Sequence, residues 1–308
     1  MVVRLEVQQE MFEHVGQDRK EAEVLTRPTT TYWQDVWRRL KQNKVAMASL
    51  VMISILTVLA VVAPYFNSFS YSDQVLELKN LPPNETYWFG TDSLGRDLFT
   101  RIWHGARISL QIGFLTAFIV LVIGVIYGGI SGLLGGWVDE VMMRIVEILY
   151  SVPFLIYVIL LMVIMEPSLK TILIALGAVY WLPMARLVRG QILSLKEQEY
   201  ILAARTLGAG NLRILFRHLI PNTMGPILVY TTLAIPEAIF TEAWLSFLGL
   251  GVSAPIASWG ALASDGLKGI RAYPWQLLFP ALFISLTILC FNLFGDGLRD
   301  ALDPRTRK

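Results

Sequence analysis

Two carboxylates, Glu237 and Glu242, fall inside a long apolar stretch at 224–248. An ionisable side chain held in hydrocarbon is a functional-site hypothesis by default. Three kinds of chemistry fit. The pair could exchange protons with a moving solute, could stay neutral and donate hydrogen bonds to neighbouring helices, or could sit at the wet outer end of the stretch beside Ser246. Glu242 lies a turn or two before Gly249 and fits the wet end best. Glu147, near the inner end of another apolar stretch, is placed to pair with Arg144 three residues earlier. The histidines His14, His104 and His218 are far apart and form no His-Glu-x-x-His pair, so no metal site is expected. No Gly-x-x-x-x-Gly-Lys-Ser/Thr occurs, so this chain is not expected to bind ATP by a P-loop.

The elements that carry these residues follow from composition. Of 308 residues 55% are hydrophobic and 16% charged, against about 45–50% and about 25% in soluble domains. Mean hydropathy is +0.54. Such a chain is too apolar to be disordered. One cysteine, Cys290, rules out a disulfide scaffold. A net charge of +2 argues against nucleic acid as a partner. The class is an all-α polytopic membrane protein. Stretches of about 20 apolar residues cross a bilayer as helices, because no water there satisfies an open backbone. Six are expected, at 45–66, 108–134, 145–165, 169–188, 224–248 and 275–294. The even number puts both termini on one side. That side, with the second and fourth connections, holds 19 of the 26 Lys and Arg residues, so both termini are expected to be cytoplasmic. The first 44 residues are polar with no apolar core near Met1, so no cleaved leader is expected.

Helix-level patterns refine this layout. Tyr32, Trp33, Val36, Trp37 and Leu40 recur at helical spacing, with Arg38, Arg39 and Lys41 opposite, as in a short amphipathic helix lying in the interface. Gly124, Gly128, Gly132 and Gly136 recur every four residues and are expected to stack on one face, where a neighbouring helix approaches closely. Gly129-Ile130-Ser131-Gly132 matches the Gly-x-Ser-Gly of intramembrane serine proteases. A serine nucleophile needs a base within hydrogen-bond reach, and no histidine lies in any span, so Ser131 is assigned to the same packing face. Pro153, Pro183, Pro226 and Pro236 predict kinked spans.

The connection between the fourth and fifth spans is too long and too patterned to be passive. Tyr200, Ala203, Ala204 and Leu207 fall at i, i+3, i+4 and i+7, which predicts a short helix with one apolar face. Glu197 and Glu199 sit at its start, where the helix dipole favours negative charge, and Gly208 sits where it would stop. The two alanines keep the centre of that face low. A cytoplasmic helix of this kind suggests a docking element that fits another protein's groove.

The string Glu199-x-x-x-Ala203-Ala204-x-x-x-Gly208, with Ile220-Pro221 following, resembles the coupling loop of ABC-importer permease subunits. Three other stretches resemble the peptide/nickel branch of that family, specifically the C-type membrane subunit of oligopeptide and dipeptide permeases. They are Phe89-Gly90-Thr91-Asp92-Ser93-Leu94-Gly95-Arg96-Asp97, Leu245-Ser246-Phe247-Leu248-Gly249-Leu250-Gly251 with Ser258-Trp259-Gly260, and Gly295-Asp296-Gly297-Leu298-Arg299-Asp300 with Asp303-Pro304. The resemblance runs from about Tyr32 to the C-terminus.

The resemblance implies the ABC type I importer transmembrane fold in a bacterial or archaeal cell membrane. It also implies a non-catalytic transport subunit for peptides, oligopeptides ahead of dipeptides. The partners implied are a homologous membrane permease subunit, two ABC ATPase subunits that bind ATP and Mg, and an extracytoplasmic peptide-binding protein. Residues 1–44 are then the cytoplasmic tail, 45–107 the first span and the outer loop that receives the binding protein, and 108–308 the permease core with its coupling loop at 189–222. The alternatives are a permease for nickel or another small solute, and a proton-coupled secondary transporter using Glu237 and Glu242. The latter predicts inverted repeats, and the long docking loop has no counterpart in the first half.

Overall fold

The computed structural model describes residues 31–252 and 255–303. Residues 1–30 of the expected tail, His14 among them, and Pro304 of the closing motif lie outside these. The described residues are nearly all helical: α1 (Tyr32–Gln42), α2 (Lys44–Val62), α3 (Leu98–Leu134), α4 (Gly136–Ser151), α5 (Phe154–Met165), α6 (Leu169–Val179), α7 (Trp181–Leu195), α8 (Glu199–Thr206), α9 (Asn211–Ile214), α10 (Ile220–Phe247), α11 (Trp259–Lys268) and α12 (Trp275–Leu302). A single π-helical turn, Leu215–Leu219, joins α9 to α10.

Five helical stretches are long and apolar enough to cross a membrane: Lys44–Tyr65, Leu98–Leu134, Leu169–Leu195, Asn211–Phe247 and Trp275–Leu302. The span expected at 145–165 is not one helix. Its apolar residues are divided between α4 and α5, which meet at a 79° bend, and only the pair together makes a sixth crossing. Pro153 causes the break. It has no N–H to donate, and it forces Val152 into extended backbone (φ −81, ψ 126). Pro226 and Pro236, by contrast, lie inside α10 without ending it.

Other boundaries move outward. The second span begins at Leu98 rather than 108, because Asp97 caps it by accepting from the Thr100 amide at 2.8 Å. The polar residues at 99–107 look like loop in sequence, yet Arg101 is buried and its guanidinium is spent on the Tyr71 carbonyl and Asp92. The last span continues through the Gly-Asp-Gly motif to Leu302.

The core is built where small residues let helices touch. A side chain at Gly124 would overlap Met184, one at Gly128 the Ala185 backbone, and one at Gly132 would meet the Arg189 carbonyl at 3.0 Å. Helices α3 and α7 therefore run parallel with their backbones in contact. Gly136 departs from the expected stripe: α3 ends at Gly135 (φ +66), Gly136 (φ +52) opens α4, and nothing lies within 4 Å of where its side chain would be.

Helix α1 forms as expected, with its faces divided differently. Val36 and Leu40 are buried in one cluster with Val229, Ala301 and Leu302 of the same chain, leaving Tyr32, Trp33 and Trp37 exposed. Asp35 pairs with Arg38 at 2.6 Å and Arg39 at 2.9 Å. Desolvation pushes the Asp35 carboxyl up, but the two guanidinium groups outweigh it and hold the group below its ordinary value.

Candidate functional site

The patterned connection folds as a compact helical excursion between α7 and α10. Glu199 opens α8. After Thr206 the helix closes on the Leu207–Gly208 pair. The Gly208 amide bonds the Arg205 carbonyl at 2.9 Å and the Ala209 amide bonds the Ala204 carbonyl at 3.0 Å, the paired bonds of a Schellman stop. Gly208 takes φ +84 to make that turn, a conformation glycine adopts without steric cost.

The excursion is pinned from beneath and bare on top. Ile201 is fully buried, in the same core cluster as Ile192, Ile214, Leu215 and Leu219. Tyr200 and Ala203 are exposed and Ala204 is half-buried. Leu207 is 87% exposed, Leu212 71% and Phe216 57%. Three large apolar side chains left open on one short segment are an interaction surface rather than a core. Beside them Leu212, Arg213, Phe216, Arg217 and Pro221 line a shallow depression of about 750 Å³. Ile220 and Pro221 are the first residues of α10, not loop residues, and Ile220 is half-buried. The π turn just before them is a distortion of the kind found at functional sites. Asn222 fixes this corner by donating to the His218 carbonyl at 2.6 Å.

Sequence reasoning found the exposed face but missed its anchor. Ile201 breaks the i, i+3, i+4 pattern and so carries no periodic signal. Leu212 and Phe216 were missed as well, because they lie beyond the helix stop.

A polar knot lies at the same end of α3 and α7. Arg189 donates to Asp139 through Nε at 2.6 Å and Nη2 at 2.5 Å, and Ser131 Oγ donates to Asp139 Oδ1 at 2.5 Å. Ser131 is thus buried on the packing face, with its hydroxyl committed to a carboxylate already held by a guanidinium. It is not set up as a nucleophile. Glu147 pairs with Arg144 at 2.9 Å, as expected.

The two intramembrane acids separate. Glu237 is exposed on α10. Glu242 is fully buried, which overturns its placement at the wet end of the span. Ser246 Oγ and Ser258 Oγ donate to its Oε1 at 2.8 and 2.5 Å. The loop after Gly249 folds back over this end of the helix, so sequence distance from the span's end did not measure exposure to water.

The loop before α3 is a second folded unit. Asp92 pairs with Arg96 at 2.6 Å, and Gln276 of α12 donates to Asn80 Oδ1 at 2.9 Å and to the Thr91 carbonyl at 3.0 Å. Asp92, Arg96 and Asp97 are buried. The Phe89–Asp97 motif therefore builds the loop, and what it presents outward are residues such as Val75, Leu76 and Trp88. His104 stacks on Tyr71, with ring centroids 3.9 Å apart.

Residues 121–308, which include the whole excursion, match the family described as binding-protein-dependent transport system inner membrane component. Residues 31–83 match the N-terminal TM domain of oligopeptide transport permease C. The chain is 53% identical over 304 residues to the dipeptide transport system permease protein DppC of Bacillus subtilis, covering 98% of this chain and 95% of that protein. It is also 53% identical to the oligopeptide transport system permease protein OppC of the same organism, covering 97% and 98%. With the OppC protein of Escherichia coli K12 the identity is 47%, covering 89% and 92%. Among solved structures, a chain of the MetNI methionine ABC transporter in inward-facing conformations shares the fold at TM-score 0.53. The identity is 18%, covering 65% of this chain and 97% of that one.

Proposed function

The chain belongs to the binding-protein-dependent transport system inner membrane components, among the oligopeptide and dipeptide permeases, and from that premise we propose that it forms half of the pathway of an ATP-driven peptide importer. A homologous permease subunit forms the other half. Two ATPase subunits bind ATP and Mg, one of them docking on the α8 excursion of this chain, and an extracytoplasmic binding protein delivers peptide to the opposite face. Both termini, α8 and the polar knot then lie on the cytoplasmic side.

The observation that carries this reading is the build of the excursion. Leu207, Leu212 and Phe216 are bare, while Ile201 roots the segment in the core between α7 and α10. A surface that only bound a partner would need no root. One that must pull on membrane helices does. ATP binding closes the ATPases, the docking segments of the two permease subunits approach, and α7 and α10 tilt to open the cavity outward; hydrolysis resets it.

ATPase turnover of the complex co-purified with this chain in nanodiscs, with and without peptide-loaded binding protein, tests the reading. Turnover that rises with loaded binding protein is expected. An intact chain that brings down no ATPase overturns it. The two B. subtilis relatives, one named for dipeptides and one for oligopeptides, are equally similar at 53%. Competition between dipeptides and longer peptides for uptake decides the substrate length.

A further inference from the structure

The knot of Ser131, Asp139 and Arg189 faces no partner in the reading above, yet it ties together three helices directly beneath the docking segment. Asp139 lies in the first turn of α4 and is buried. Arg189 of α7 grips both of its oxygens, and Ser131 of α3 donates to one of them. Lys196, between α7 and α8, adds a bond to the Gly132 carbonyl of α3 at 3.2 Å. Farther along, Arg186 of α7 lies over the Tyr150 ring of α4 at 4.7 Å, and Tyr127 of α3 donates to the Met142 carbonyl of α4 at 2.9 Å. Val146, Trp181, Leu182 and Ala185 close the apolar side of the same junction.

This arrangement constrains motion. Helix α7 is seated on α3 backbone to backbone, with Ala185 in the space a Gly128 side chain would fill, so the two helices are in direct contact at this level. Helix α7 cannot part from α4 without breaking a two-pronged ion pair whose carboxylate is largely buried and whose guanidinium is partly open to water. Beyond α4 the chain bends by 79° at Val152–Pro153, where Pro153 has no amide to tie the turn. A push on α8 enters α7 through three residues, 196–198. From α7 it passes to α3 across the packed glycine seam and to α4 through the ion pair, and α4 leads to that bend.

We propose that the Asp139–Arg189 pair, with Ser131 as its second donor, is a transmission clamp that makes α7 and α4 move as one body, delivering displacement of the docking segment to the α4–α5 bend. The proposal rests on the reading of α8 as the docking element. Asp139 and Arg189 act as positioning residues and touch neither peptide nor nucleotide.

The test uses the full complex in proteoliposomes with peptide-loaded binding protein and reads peptide imported per ATP hydrolysed. Asp139→Asn and Arg189→Gln remove one charge each. Arg189→Lys keeps the charge but loses the planar fork. The double exchange Asp139→Arg with Arg189→Asp reverses the pair. The single variants are expected to assemble with their ATPases and keep most ATP turnover. Import per ATP should fall about 10-fold or more, the scale of an ordinary coupling free energy. Arg189→Lys should fall between these and wild type, and the exchange should recover part of the loss. Wild-type import per ATP in Asp139→Asn and Arg189→Lys overturns the clamp. So does a loss of import that merely tracks lost assembly across all four variants, because the pair would then serve stability alone. A Gly208→Asp variant run in parallel separates the two readings. If it uncouples while the Asp139 and Arg189 variants do not, only the clamp fails. If wild type recruits no ATPase, the docking reading fails first.

Discussion

Ser258 Oγ donates to Glu242 Oε1 at 2.5 Å and accepts the Ala261 amide at 3.0 Å, so one hydroxyl both anchors the buried carboxylate and caps helix α11. Ser246 donates to the same oxygen from one turn along α10. The next residue, Trp259, is held by Ser109 Oγ at its amide and by the Ile102 carbonyl at its indole nitrogen. Through Oε1, Glu242 therefore joins α10 to α11, and Trp259 carries that joint on to α3.

Replacing Glu242 with alanine should destabilise the chain without a specific transport phenotype. It strips two buried hydroxyls of their acceptor, at about 1–3 kcal/mol for each group left unsatisfied, and leaves a cavity. Glu242→Gln keeps an acceptor oxygen for both serines and should cost less. Thermal unfolding midpoints in detergent should rank wild type above Glu242→Gln and Glu242→Gln above Glu242→Ala. Equal midpoints for wild type and Glu242→Ala would remove the joint.

The glycine stripe predicts an unequal response along its length. Gly128→Ala places a methyl group against the Ala185 backbone, which cannot swing aside. Overpacking of this kind costs about 1–3 kcal/mol. Gly136→Ala meets open space, and its penalty comes only from φ +52, about 1–2 kcal/mol for a left-handed residue. Midpoint loss in Gly128→Ala should be accompanied by altered packing between α3 and α7. A disulfide trap or spin-label distance across that seam reads it directly, and Gly136→Ala should leave the distance unchanged.

These cases show what a linear reading can see. Periodicity reports a helix and one of its faces, so α8 and the contact of Gly124, Gly128 and Gly132 were legible, while α2 was legible from the length of its apolar run alone. Periodicity does not report which polar residues fold inward. Asp139 and Arg189 are 50 positions apart, and each alone looks like a solvated charge at a span's end. The bend at Pro153 was foreseeable as a kink, but neither its 79° nor the contacts of Arg189 and Tyr127 that hold α4 beside it were. The start of the second span at Leu98 was hidden because Arg101 and His104 read as loop residues until their partners, Tyr71 and Asp92, are folded against them.

The exposed apolar trio should carry ATPase recruitment while contributing little to the fold. Leu207→Glu and Phe216→Glu alter side chains that are 87% and 57% exposed, and surface changes of this kind stay within about 0.5 kcal/mol in stability. The variants should insert and purify with unchanged unfolding midpoints and bring down less ATPase in a salt-washed pull-down. Ile201→Glu is the opposite case. It buries a charge at the root of the excursion and should fail to yield folded chain. Full ATPase recovery with both Leu207→Glu and Phe216→Glu would move the docking surface elsewhere.

Gly208 separates backbone geometry from surface charge. No atom lies within 4 Å of where its side chain would point, so the only folding penalty is the left-handed turn. Asparagine tolerates that conformation better than other residues with side chains. Gly208→Asn should therefore keep the Schellman stop, the fold and peptide-stimulated ATPase activity close to wild type. Gly208→Asp has nearly the same shape and turn preference but puts a negative charge beside Leu207, at the surface assigned to the ATPase. It should leave the chain inserted and abolish stimulation by loaded binding protein. The comparison turns on charge alone. If both variants lose stimulation equally, the turn itself is what the partner reads; if neither does, the partner does not contact this end of α8.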